Sequence, residues 1–67
     1  MNNMQGEELL QELYKVADID EKFIENGTLC NNELEVVAEL KDIINDDEKI
    51  RLAIFQVTYR GYSIIPF

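Results

Sequence analysis

Cys30 is the only cysteine in a chain of 67 residues, and that combination narrows the accessible folds more than any other feature. A domain of about 60 residues buries only ~60% of the surface its unfolded chain exposes, so its stability is marginal without reinforcement. No intramolecular disulfide can supply it. Reinforcement has to come from a metal ion or a partner. With no histidine in the chain to activate it, Cys30 reads as a small, half-buried apolar residue suited to a reducing compartment. Apolar residues make up 46% of the sequence, enough for one core, and residues 1–67 are read as a single domain.

Fourteen Asp and Glu stand against six Lys and Arg, a formal net charge of -8. Nucleic acid is bound by cations that displace its counterions, so direct nucleic-acid binding is disfavoured, as is attachment to an anionic membrane. Basic protein surfaces are attracted instead. The opening residues MNNMQGEE lack the basic region and apolar run of a secretory signal. No apolar stretch approaches the ~20 residues of a membrane span. The expectation is a soluble, cytoplasmic protein. The chain has no nucleophile–base pairing and no phosphate-cradling glycine loop, so no enzymatic activity is expected. The adjacent Asp46 and Asp47 suit a helix start better than a general acid and base.

Apolar spacing predicts two amphipathic helices. In the first, Glu7–Ala17, Leu9, Leu13 and Val16 share a face with Leu10, Tyr14 and Ala17, and Glu7 and Glu8 complement the dipole of the first turn. In the second, from Glu33 to Ile44, the stripe is Leu34, Val37, Leu40 and Ile44, and Asn32 with Glu35 forms a capping-box pattern. The last segment, from Asp46 onward, reads two ways. As a helix it is capped by Asn45 and closed by Arg60-Gly61, with Ile50, Ala53, Ile54 and Val57 on one face and Leu52, Phe55 and Tyr59 opposite. As strands it is a C-terminal β-hairpin turning at Arg60-Gly61. The helix is favoured because its start signals are specific and a lone hairpin is unstable.

Between the two helices lie Asp18-Ile19-Asp20 and then Asn26-Gly27-Thr28-Leu29, running on to Glu33. This arrangement resembles an EF-hand, in which alternating oxygen-bearing side chains converge on a hard cation and a glycine permits the sharp turn. Matched residue by residue, the resemblance implies Asp18, Asp20, Asn26, the Thr28 carbonyl and Glu33 as calcium ligands. Gly27 would be the turn glycine, and Leu29 the apolar residue that bridges to a sister loop, here at Ile64 or Ile65. Lys22-Phe23-Ile24-Glu25 separates the two halves, so the loop must bulge outward for its oxygens to converge.

The resemblance implies an all-α fold of three to four helices with a short two-strand loop bridge. Residues 7–44 would form the helix–loop–helix, and residues 45–67 a helix plus a truncated second hand. The alternative is an α+β fold with the C-terminal hairpin. By the same resemblance to calmodulin-like proteins and single-lobe myosin light chains, the expected function is a calcium-independent clamp on a basic amphipathic helix of IQ type. Met4, Leu10, Leu40, Ile44, Phe55 and Tyr59 would line its groove. A calcium sensor or buffer is one alternative. Another is a small acidic inhibitor of phage type that imitates nucleic-acid charge. The two-sided apolar last segment implies an external partner, either a different protein or a second copy of this one.

Overall fold

The computed structural model describes residues 6–66, and its chain runs through α1 (Glu7–Ala17), β1 (Gly27–Cys30), β2 (Val36–Glu39), α2 (Leu40–Ile43), α3 (Asp47–Tyr59) and β3 (Ser63–Pro66). A single 3-10 turn, Glu21–Ile24, leads into β1. The three strands form one antiparallel sheet in the order β2-β1-β3. The fold is therefore α+β, not the all-α helix–loop–helix unit expected from the sequence. The hairpin of the α+β alternative is also absent from the C-terminal segment, where α3 is followed by a lone strand that pairs back onto β1.

The helix expected over residues 33–44 is the main correction. Asn31 takes over the backbone at its start. Its side-chain oxygen accepts from the amides of Glu33 and Glu35, both at 2.9 Å, and its own amide donates to the Glu35 carbonyl at 2.9 Å. That closed turn sets Leu34 at φ 65, outside helical space. Two β-branched residues follow, Val36 and Val37, which fit a pleated strand better than a helix turn. Only Leu40–Ile43 keeps helical form, delivering Leu40 and Ile43 to the core.

α1 has the bounds its spacing predicts, and it ends on Asp18 in the left-handed region, φ 59. α3 confirms the helical reading of the last segment, but its cap is Asp46, whose carboxylate accepts from the Glu48 and Lys49 amides, and not Asn45. Gly61, at φ 75, then reverses the chain, and the Tyr62 amide returns to the Gln56 carbonyl at 3.1 Å. This turn aims β3 at β1. Of the two partners expected for Leu29, Ile64 is the one opposite it, as one rung of a three-stranded sheet, while Ile65 pairs with Thr28.

Leu29, with Ile64 beside it, meets Leu9, Leu13, Leu40, Ile43, Ile50 and Ala53 in one core. Thr28 and Cys30 alternate to the opposite side of β1, where the Thr28 hydroxyl donates to the Ile65 carbonyl at 3.1 Å. Gly27 is needed for space, not for turning: an added Cβ would stand 2.6 Å from the Phe23 carbonyl oxygen. At the far end the Gly6 amide reaches the Asp47 carboxylate at 3.4 Å, bringing the N-termini of α1 and α3 together.

Leu13 has no exposed surface, so Leu13→Ala should cost about 2–5 kcal/mol in urea unfolding. A loss below about 1 kcal/mol would contradict its place in the core. Burial lifts the Tyr14 phenol above its usual 10.0, and the Glu21 carboxylate adds to the effect. The folded state thus favours the neutral phenol, and this contribution is present below the unfolded value and lost as pH rises through the folded one. Stability should fall above about pH 10, and Tyr14→Phe should flatten that fall.

Candidate protein-binding surface

The residues singled out as calcium ligands serve the backbone or lie apart. Asp18 ends α1, and Asp20 caps the 3-10 turn by accepting from the Lys22 amide. Asn26 is exposed, Thr28 is buried in the central strand, and Glu33 sits in the Asn31 turn. Among the described residues no group of three or more Asp, Glu, Cys or His is gathered where it could hold a metal ion. Gly27 and Thr28, the turn and carbonyl positions of the expected loop, are instead extended and paired with Pro66 and Ile65.

The expected groove residues divide. Leu40 is fully buried, and Leu10 and Ile44 pack against the core, so these three are not an open groove. Met4 lies outside the described residues. Phe55 and Tyr59 do face outward, 46% and 75% exposed. Their rings lie 5.3 Å apart between centroids, and the Arg60 guanidinium stands 5.8 Å from the Phe55 ring. Leu52, one turn before Phe55, is 54% exposed and completes a stripe along α3.

The stripe continues onto the sheet. Leu52 and Val37 share a shallow groove of about 290 Å³ floored by Leu29, Ala38 and Ile43 and edged by Asp42, Lys49 and Gln56. Val37 itself is half exposed, and beyond it Val36 and Leu34 are exposed. Reading 33–44 as a helix hid Leu34, Val36 and Val37 as binding candidates. The adjacent valines bounded by Glu35 and Glu39 were the available signal, a short β-branched run with charged ends.

None of the fourteen carboxylates is buried. Glu7 and Glu8 meet Asp46, Asp47 and Glu48 where the two helix starts converge. Glu33, Glu35 and Asp42 flank β2 and Glu39 ends it, with the Lys41 ammonium 3.4 Å from Glu39. The surface therefore couples an uncovered apolar strip to a strongly negative field. Such a field attracts a basic partner, while the strip supplies the area to be desolvated on contact.

No protein-family model, curated protein or solved structure matches the chain. Fold and surface define a small α+β protein with a three-stranded antiparallel sheet and an apolar strip left uncovered among acids. No helix among the described residues is long and apolar enough to cross a membrane.

Calcium should leave the amides of residues 18–33 unshifted up to millimolar concentration in a heteronuclear NMR titration. A saturable shift centred on Gly27 would restore an ion site. Phe55→Ser and Tyr59→Ser, removing exposed rings, should each change folding stability by less than about 1 kcal/mol.

Proposed function

We propose that this chain is a non-enzymatic acidic protein-binding module that acts as an inhibitor, occupying a basic site on another protein that would otherwise take nucleic acid. The observation that carries this reading is the placement of all fourteen carboxylates outside the core. Carboxylates at the joined starts of α1 and α3 also complement the helix dipoles. The apolar stripe on α3 adds what charge alone lacks: Leu52 and Phe55 are already about half covered, so covering the rest of each is worth on the order of 1 kcal/mol.

The light-chain-like clamp has less support. Its groove depended on a second helix over residues 33–44, where the chain forms a turn, a strand and one helical turn. The basic partner is retained, and the IQ-type helix is not. The module works in the cytoplasm, where a reducing environment suits the buried thiol of Cys30.

The test is capture from a lysate of the native host on immobilised protein, followed by elution with duplex DNA or with salt. Proteins released by duplex DNA are expected, and the purified chain should then block their DNA binding in a mobility-shift assay. Glu7→Gln/Glu8→Gln/Glu48→Gln should weaken capture about tenfold or more at low salt. Captured proteins that resist both DNA and 1 M salt would overturn the reading.

A further inference from the structure

We infer that β2 is a docking edge for an extended, basic strand of the partner protein, which adds to the sheet beyond β2. The inference rests on the acidic-module reading for the partner's charge; the edge itself stands on geometry. Among the described residues β2 has one strand neighbour, β1, so its outer side offers backbone donors and acceptors, in a row interrupted at Val37, where the register to β1 shifts by a bulge. The opposite edge, β3, ends in Pro66, which cannot donate to a ladder. β2 carries no proline, and its own Val36 and Val37 are 58% and 47% exposed.

Leu34 is a second, independent sign. It stands at the tip of the turn entering β2, 69% exposed and at φ 65. A bulky side chain there is costly in backbone energy and gains nothing from burial, a combination that clusters at binding sites. Asn31 holds this turn with its side chain and backbone, so Leu34 is presented in a fixed position. The groove shared by Val37 and Leu52 lies alongside. An added strand sends alternate side chains to one face of the sheet, and one of them would enter this groove, the usual source of specificity in strand addition.

Charge selects the occupant. Glu33, Glu35, Glu39 and Asp42 stand before, within and after the strand against two cations, Lys41 on Glu39 and Lys49 at the groove edge. The balance stays negative, so a Lys or Arg to either side of a central apolar residue matches the edge. A second copy of this chain would set -8 against -8 and bring these acids against their own counterparts. A basic strand is accordingly the complementary partner, and self-pairing is opposed.

The test uses uniformly labelled protein and the capped peptide KVKVKVK, with the same peptide N-methylated at every residue. Amide shifts should be confined to residues 33–42 with Leu52 and Gln56. N-methylation, which keeps the charge and removes ladder donors, should weaken binding about tenfold or more. Val37→Asp separates the forces further. It adds negative charge beside the groove, so attraction by charge alone predicts tighter binding, whereas strand docking predicts weaker binding. The native protein with the two peptides decides the matter even if that variant fails to fold. Equal binding of both peptides, shifts at the helix starts instead, or no shift up to millimolar peptide overturns the edge. Shifts in β2 on raising protein concentration without peptide assign it to a second copy and overturn the basic-strand inference. The acidic-module reading fails separately, through capture that duplex DNA does not reverse.

Discussion

Everything else in this fold depends on β1 being hydrogen-bonded on both sides. Gly27–Cys30 lies between β2 and β3, with all four residues buried. Backbone groups out of reach of water must find partners within the protein, and two ladders provide them. Leu29 projects from this strand into the core that gathers α1, α2 and α3. The lack of a side chain on Gly27 allows the Phe23 carbonyl to pass close behind. Neither flanking strand is long enough to persist alone, since isolated two-stranded pairs are marginal in water.

The two connections make that pairing possible by local means. Asn31 closes a turn with its side chain so that β2 returns antiparallel, and Gly61 uses a positive φ to bring β3 back from the end of α3. Both ends of the sheet are thus organised by residues whose polar or absent side chains substitute for regular backbone bonding. Leu34 is the exception, a bulky residue where Gly or Asn would relax the backbone.

A chain this small has too few elements to cover every apolar surface it carries. α3 shows the consequence directly. Ile50 and Ala53 are buried against the core, while Leu52, Phe55 and Tyr59 on the other side remain open. The net charge of -8 opposes self-association of that surface and favours a cationic partner. Apolar strip and acidic field therefore work together as one recognition surface, not as separate features.

The helical character of Glu7–Ala17 and Asp47–Tyr59 was legible in the residues, because apolar spacing and acidic first turns are local signals. So were the two faces of α3. The resemblance left the partner of Leu29 open between Ile64 and Ile65, and Gly27, expected as a turn residue, is extended strand. The identity of residues 33–39 was not legible. Leu34, Val37 and Leu40 have helical spacing, yet the β-branched pair Val36-Val37 lies within the same short run and suits a strand, so spacing alone points the wrong way. The Asn31 turn kept Leu34 out of a helix locally, and β1 did the rest from outside the segment, its open side offering Val36–Glu39 a ladder that a helix could not fill. For the same reason Leu40 became core, Val37 became surface, and the candidate site moved from an ion-binding loop to a sheet edge. Local chemistry set which segments could be helices; long-range backbone pairing, invisible in spacing, decided which of them became strands.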